Sequence, residues 1–198
     1  MNEPITIRRW RNRLPHWEVD RLAHFITIRC HGSLPKAVQQ KILEIHHTLD
    51  TIPAQSAKYR QLQQQYFLTC EKYLDQGGGF APFNDATVCK ACLKALAVME
   101  EEGWQLIQAA LMPNHLHAII RRRESAYDLQ MILKRFKGRS ARWGNQQLQR
   151  TGHFWQEDWF DRWIRNETEY NKTQQYIRTN PVKAGLVTNP EDYTWLMP

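Results

Sequence analysis

The amino-acid sequence predicts an α+β fold with a central antiparallel sheet. Residues 24–30 alternate at a period of two, which is typical of a strand, and residues 104–111 and 115–120 are interpreted as two further strands. Segments with apolar residues at helical spacing separate and follow these strands. Of the 198 residues, 42% are hydrophobic and 24% are charged, a balance typical of a globular chain that forms one domain.

The first part of the chain is predicted to contain an arm, one strand and a helical pair. Residues 1–20, which are rich in Arg and Trp, are interpreted as an irregular N-terminal arm. The strand at 24–30 is followed by residues 36–74, which have helical character. Pro53 is expected to break this stretch into a hairpin of two helices, so that residues 32–80 form an enlarged helical insertion.

The middle of the chain predicts a capped helix followed by two strands. Asp85 is a favourable N-cap for a helix that ends at Gly103, a residue type common at helix C-termini. The strands at 104–111 and 115–120 are joined by residues 112–114, Met-Pro-Asn, which favour a tight turn. Strands joined by so short a connection pair in antiparallel fashion.

Two further helices and one strand complete the predicted fold. One helix ends near Gly138, an aromatic strand covers 159–164, and the last helix covers 167–179 and stops before Pro181. The order strand, helices, strand, strand, helix, strand, helix is that of a ferredoxin-like split βαβ sandwich with an additional C-terminal helix. The chain is therefore predicted to be a single domain, with residues 184–198 as a tail.

The positive charge is confined to one part of the chain. Lys and Arg total 27 against 20 Asp and Glu, a formal net charge of +7. Residues 121–183 contain 14 basic and 7 acidic residues, whereas the rest of the chain contains 13 of each. Such a field favours polyanions, nucleic acid first, although a solvated Lys/Arg surface without a ligand has the same composition.

Several classes of protein are excluded by what the sequence lacks. No apolar run approaches the roughly 18 residues of a membrane helix, and the N-terminus lacks the apolar region of a signal peptide. Four cysteines are too few for a disulfide framework, so a reducing cytosol is expected. Cys89 and Cys92 have metal-ligand spacing without a second pair, and Walker A, dinucleotide-binding and nucleophile-elbow motifs are missing.

His115 and His117 flank Leu116 in the second of the tandem strands. Because residues two apart in a strand point to the same face, both imidazoles would project together while Leu116 faces the core. Two histidines on one face can hold a divalent metal and leave coordination positions open for a substrate. The same spacing also occurs by chance, so it does not identify a metal site alone.

Tyr176 and Asn180 lie four residues apart in the last predicted helix and share a face. Tyrosine serves as a nucleophile where a covalent phosphotyrosine must form. A tyrosine packed with its hydroxyl at the rim of a core, and an asparagine that caps a helix end, would produce the same pattern. Neither residue is singled out without its context.

Basic and aromatic residues are interleaved at 154–165 and along the helix that follows residues 121–123. This pattern suits single-stranded nucleic acid, whose bases stack on aromatic rings and whose phosphates pair with cations. Tryptophans buried for packing, and a solvated basic helix, would explain it equally well. The cations predicted to contact nucleic acid are Arg121, Arg122, Arg123, Lys134, Arg135, Lys137, Arg139, Arg142, Arg162, Arg165, Arg178 and Lys183.

Three sequence blocks together resemble the REP-associated tyrosine transposases. These belong to the HUH single-strand transposases, whose name denotes two histidines flanking a hydrophobic residue. The blocks lie within residues 112–120 (MPNHLHAII), 154–162 (FWQ and WFDR) and 176–187 (YIRTNPVKAGLV). The early segment 17–32 is also similar to the start of the family. The combination of blocks is specific, although each block alone is not.

The resemblance implies one catalytic domain of ferredoxin-like fold that nicks single-stranded DNA near REP-type hairpins. His115 and His117 would bind Mg²⁺ or Mn²⁺, with Asn180 at the position of the third metal-binding side chain. Tyr176 would be the nucleophile, forming a 5′-phosphotyrosine and leaving a free 3′-hydroxyl. The long 32–80 segment departs from the compact relatives and leaves the accessory contacts undefined.

The resemblance also bears on assembly and on competing functions. It implies a monomer in the bacterial cytosol, associated with the nucleoid, whereas related insertion-sequence transposases can be dimers that supply the tyrosine across subunits. One alternative is a non-catalytic DNA- or RNA-binding regulator derived from such an enzyme. Another is a replication-initiation or relaxase-type nickase, which commonly carries a longer histidine motif or further domains.

Overall fold

A computed structural model of the chain describes residues 5–12, 14–53 and 56–198. Over these ranges the backbone forms seven strands and five α-helices. None of the helices in this described part is long and apolar enough to cross a membrane. In chain order the elements are β1 (Thr6–Arg11), β2 (Pro15–Val19), β3 (Ala23–Arg29), α1 (Lys36–Thr51), α2 (Ala57–Leu74), α3 (Ala86–Glu101), β4 (Trp104–Met112), β5 (His115–Arg122), α4 (Leu129–Gln147), β6 (Phe160–Trp163), α5 (Glu167–Lys183) and β7 (Leu196–Met197).

Within the described ranges, the central sheet has five strands in the order β6-β3-β5-β4-β7, and every neighbouring pair is antiparallel. The first four strands of this order have the connectivity of the predicted ferredoxin-like sandwich, so the predicted fold class is confirmed. β7, which lies in the segment 184–198 expected to be a tail, adds a short edge strand by pairing with Ala109 and Ala110 of β4.

Different helices cover the two faces of this sheet. α3 and α4 pack on one face, where Leu116 and Ile120 of β5 enter the main core. Ile119 of β5 points to the opposite face and packs in a separate cluster with Ile177 of α5 and Phe67 of α2. Successive side chains of β5 therefore point alternately to the face that packs on α3 and α4 and to the face that α2 and α5 cover.

The enlarged first crossover is the predicted helical hairpin. α1 ends at Thr51 and α2 begins at Ala57, on either side of the expected break at Pro53. Residues 54 and 55 of this segment lie outside the described part of the chain. The two helices bury their own small core, in which Leu49 packs with Leu74.

The prediction of an irregular arm over residues 1–20 was wrong. β1 and β2 pair as an antiparallel hairpin, and residues 1–4 and 13 of the predicted arm lie outside the described part. Both nitrogens of His16 bond to the carboxylates of Asp158 and Asp161, which anchors the hairpin near β6. The exposed Arg-rich face of β1 concealed the alternation of burial that β2 shows.

Two predicted helix ends were also wrong. α4 continues past Gly138 to Gln147 because its last turns still pack on the core: Phe154 lies so close that a Cβ on Gly144 would stand 2.6 Å from its ring. α5 continues through Pro181 to Lys183. Pro181 lacks the N–H that would bond to the carbonyl of Ile177, and the helix ends two residues later, at Lys183.

Other sequence predictions agree with the structure. The Asp85 carboxylate accepts a hydrogen bond from the N–H of Thr87 at 2.7 Å and caps α3. Gly103 ends that helix with a φ of 87°, and a Cβ there would lie 2.1 Å from the carbonyl oxygen of Glu124. Cys89 and Cys92 are buried, free thiols in the main core.

Candidate active site

The paired histidines of β5 lie on the sheet face that α2 and α5 cover. His115 and His117 are both fully buried, and their Nε2 atoms are 3.0 Å apart. The tight Met-Pro-Asn turn between β4 and β5 positions His115 at the start of its strand. The period of two therefore brings the imidazoles together, as the sequence predicts.

Hydrogen bonds to the other ring nitrogens orient the two imidazoles. His117 Nδ1 lies 2.8 Å from Oγ1 of Thr27, its cross-strand partner in β3. His115 Nδ1 lies 2.8 Å from Oδ1 of Asn114, the last residue of the turn. Such bonds fix the orientation of a histidine and leave its other nitrogen available to a ligand. Both Nε2 atoms are accordingly directed to one place.

A carboxylate that the sequence analysis missed completes this cluster. Glu71 of α2 is 2% exposed, and its Oε2 lies 3.2 Å from Nε2 of His117. Ligand atoms of Glu71, His115 and His117 all lie within 4.8 Å of one another. The available signal was helical spacing: Phe67, Glu71 and Leu74 follow one helix face, and an acid occupies an otherwise apolar stripe.

Tyr176 extends from α5 over the same cluster. Its hydroxyl donates a short hydrogen bond to Oε2 of Glu71. Its ring meets the ring of His117 edge-on, with centroids 5.4 Å apart, and packs in the same way against Phe25. The side chain is half-buried, and its ring is held between these neighbours.

Asn180 lies one helical turn after Tyr176 and is fully buried. Within the described residues, neither its amide oxygen nor its amide nitrogen has a hydrogen-bond partner, and the same holds for Oε1 of Glu71. The Asn180 amide is nevertheless close enough to Glu71 to favour the charged carboxylate. Buried polar atoms without partners beside two imidazole nitrogens form a donor set that fits a divalent cation.

Burial controls the charge of the cluster. It lowers the pKa values of His115 and His117 well below the usual range of histidine, and the neighbouring imidazole acts in the same direction on His115. Both histidines are therefore neutral, the form that ligates a metal. Burial raises the pKa of Glu71 to about 7, although His115, Lys183 and Asn180 oppose the shift.

The basic residues between positions 121 and 183 lie on both faces of the sheet. α4 lies on the face opposite Tyr176, and two of its cations, Arg135 and Arg139, are paired with Glu102 of the α3 C-terminus. Lys137 lies over the Trp159 ring. The predicted cations on α4 are Lys134, Arg135, Lys137, Arg139 and Arg142.

The remaining predicted cations lie on β5, β6 and α5 or directly beside them. Lys183 lies 6.0 Å from the centre of the Tyr176 ring and pairs with Asp75. Three further cations also form ion pairs. Arg162 and Arg165 pair with Glu169, and Arg178 pairs with Glu191. Arg121, Arg122 and Arg123 lie at or just beyond the end of β5, about 20 Å along the strand from His115.

The aromatic run at 154–165 serves mainly to pack the core. Phe154, Trp155 and Trp159 are buried in the main cluster, and the indole N–H of Trp155 donates to Oγ of Ser140 at 2.9 Å. Trp163 is half-buried and contacts Trp17 of β2 edge-on. Core packing, one of the two interpretations of this pattern, thus accounts for most of its aromatic residues.

A ferredoxin-like sheet that carries two neutral histidines, with a tyrosine and an asparagine of the helix packed over them, defines a domain of the HUH type. The family described as "Transposase IS200 like" matches residues 83–180, a segment that contains His115, His117, Tyr176 and Asn180. The predicted resemblance to this group of transposases is therefore confirmed.

One solved structure agrees with the resemblance at the level of the fold. A REP-associated tyrosine transposase bound to a REP hairpin is 16% identical to this chain, with a TM-score of 0.52, and the match covers 91% of this chain and 79% of that one. A candidate transposase from Deinococcus radiodurans R1 is 14% identical and covers 82% of this chain and 93% of its own, but its TM-score of 0.37 adds no argument. No curated protein matches the sequence.

Proposed function

We propose that this IS200-like transposase is a metal-dependent endonuclease and strand transferase that acts on single-stranded DNA near hairpins. The observation that carries the proposal is the position of Tyr176, whose half-buried side chain packs against His117 of the buried histidine pair. A nucleophile placed next to a cluster suited to a divalent cation is the arrangement that phosphoryl transfer requires.

The proposed reaction exchanges one phosphodiester bond for another. Oη of Tyr176 attacks phosphorus, and the bond from phosphorus to the 3′-oxygen breaks. The tyrosine is then joined through the phosphate to the 5′ end of the downstream fragment, as a 5′-phosphotyrosine. The phenol releases a proton and the 3′-oxygen takes one up, so a free 3′-hydroxyl remains. Attack by another 3′-hydroxyl reverses the step and joins strands without ATP.

His115 and His117 would hold Mg²⁺ or Mn²⁺, with Asn180 as a further ligand. When bound, the cation would polarise the scissile phosphate and offset the charge that develops there. Thr27 and Asn114 fix the two imidazoles, so the ligands are oriented before any ion arrives. Packing of the Tyr176 ring against Phe25 and His117 directs its hydroxyl to the same place.

The substrate is proposed to be single-stranded DNA that carries a hairpin of the REP type. Support comes from the solved relative, which was captured with a REP hairpin, and from the excess of basic residues between 121 and 183. We propose that one chain contains the complete site and acts as a monomer, because Tyr176 and His117, which its ring contacts, belong to the same chain.

The test uses a 3′-labelled hairpin oligonucleotide with Mn²⁺ and follows the covalent protein–DNA adduct, because the fragment that stays on the tyrosine keeps its 3′ end. The wild-type protein is expected to form the adduct, and Tyr176→Phe is expected to form none. Tyr170→Phe, a matched change on the same helix, is the control that should retain activity. An adduct in Tyr176→Phe would rule out this nucleophile, and tight hairpin binding without nicking by the wild type would favour the non-catalytic alternative.

A further inference from the structure

We propose that Glu71, carried by the α1–α2 hairpin, is a metal ligand of the nicking site and also positions the Tyr176 hydroxyl. This inference rests on the proposed function and adds a carboxylate to the histidine pair. It assigns to the enlarged 32–80 segment a direct part in the site.

The surroundings of Glu71 support a cation as its missing partner. The carboxylate is 2% exposed, and burying such a charge is costly unless a positive group accompanies it. In the described part of the chain, the basic side chain that contacts it is His117, whose Nε2 lies 3.2 Å from Oε2 of Glu71. Lys183, a nearby cation, pairs instead with Asp75 at 2.6 Å. A divalent ion between Glu71 and the histidines would supply the positive charge.

The two carboxylate oxygens of Glu71 have different surroundings. Oε2 accepts the hydrogen bond from Tyr176 and lies 3.2 Å from His117. Oε1 is buried and has no hydrogen-bond partner among the described residues. Oε1 is therefore available as a metal ligand, while Oε2 can still accept the hydrogen bond from the Tyr176 hydroxyl. One side chain would then connect the metal site to Tyr176.

The helical hairpin holds Glu71 in place. Phe67, one turn earlier on α2, contacts Phe25 of the sheet and the Tyr176 ring, with centroids 5.9 and 6.0 Å away. Leu74, nearly one turn later, is buried against α1. Because packing on both sides fixes α2, the carboxylate is presented in one position, as a preorganised ligand must be.

The experiment measures Mn²⁺ binding to the full-length protein without DNA, from the electron paramagnetic resonance signal of free Mn²⁺. Glu71→Gln keeps the size of the side chain and removes its charge, and it is expected to weaken Mn²⁺ binding by roughly 10- to 100-fold. Glu44→Gln, the same change at an exposed position on α1, is expected to bind as the wild type does. Equal affinity in Glu71→Gln and the wild type would overturn the inference.

A second measurement does not depend on the folding of a variant. In wild-type protein labelled with ¹³C at glutamate carboxylates, electron–nuclear double resonance is expected to detect a carboxylate carbon coupled to bound Mn²⁺. Without that coupling the carboxylate is not a ligand and the inference fails.

Failure of the inference can be separated from failure of the proposed function. If the wild type binds Mn²⁺ and forms the Tyr176 adduct while Glu71→Gln binds Mn²⁺ equally well, only the role of Glu71 is refuted. If the wild type binds no Mn²⁺, the metal-dependent function and the inference are refuted together.

Discussion

The Tyr176 hydroxyl donates a hydrogen bond to the carboxylate of Glu71, a residue 105 positions earlier in the chain. This contact joins the last helix of the fold to a helix of the enlarged first crossover, above the histidines of β5. The candidate site is thus assembled from three elements that are far apart in the sequence. Its geometry depends on how α2 and α5 pack on one face of the sheet.

The bond between Thr27 and His117 should matter for metal binding. Thr27→Val keeps the shape of the side chain but removes the hydroxyl that orients the imidazole. We expect roughly 10-fold weaker Mn²⁺ binding, measured by titration calorimetry, because bonds of this kind fix the ligating ring. Thr48→Val, whose hydroxyl bonds to its own helix far from the site, is the control. Unchanged affinity in Thr27→Val would show that packing alone orients His117.

Two glycines of α4 should respond to alanine in opposite directions. A Cβ on Gly138 would meet nothing within 4 Å, so Gly138→Ala should raise the free energy of unfolding by about 0.5–1 kcal/mol through helix propensity. A Cβ on Gly144 would lie 2.6 Å from the buried Phe154 ring, so Gly144→Ala should lower the free energy of unfolding by about 1–3 kcal/mol. Urea unfolding measures both. The same sign for the two variants would contradict this account of α4.

His16 should make stability dependent on pH. Burial would lower the pKa of His16, but hydrogen bonds to Asp158 and Asp161 outweigh it and raise the pKa to about 9. Since the folded state holds this proton more tightly, the stabilisation is complete below pH 6.5 and is lost as the pH rises through 9. We expect a decrease in unfolding free energy of at most about 3 kcal/mol over that interval.

The control for this pH dependence is Asp158→Asn. It removes one of the two charged acceptors of His16, so the decrease in unfolding free energy between pH 6.5 and 9 should become smaller. Unfolding in urea at several pH values gives the slope for each protein. An equal slope in both would mean that His16 is not the group responsible.

The sequence predicted those parts of the site that depend on local periodicity. The spacing of His115 and His117 in a strand was enough to place both imidazoles on one face, and the helical spacing of Tyr176 and Asn180 placed both side chains on one face of α5. Only the family resemblance related that helix face to the histidines. Glu71 could not be placed in this way. Its approach to the site depends on how α2 docks on the sheet, through the contact of Phe67 with Phe25.

The charge pattern shows a second limit of sequence reasoning. Net charge identifies a stretch of the chain but not the face on which each cation lies, and α4 proved to be on the opposite side of the sheet from Tyr176. The aromatic segment 154–165 was equally consistent with base stacking and with packing until the burial of Trp155 and Trp159 distinguished them. In both cases the missing information was tertiary.

Because the basic residues lie on both faces of the sheet, two lysines should differ in their effect on DNA binding. Lys183 lies next to the Tyr176 ring, whereas Lys134 is exposed on α4, on the other side of the sheet. For a short hairpin oligonucleotide held at the tyrosine, Lys183→Gln should weaken binding and reduce the slope of log affinity against log salt by about 0.7. Lys134→Gln removes the same charge and should change both quantities less.

Fluorescence anisotropy with a labelled hairpin at several salt concentrations measures both effects. Lys41→Gln, at an exposed position on α1, controls for the general loss of one positive charge. Because Lys183 also pairs with Asp75, thermal unfolding of Lys183→Gln checks that the fold persists. Equal losses in Lys183→Gln and Lys134→Gln would mean that the DNA contacts both faces of the sheet, with α4 forming part of its path.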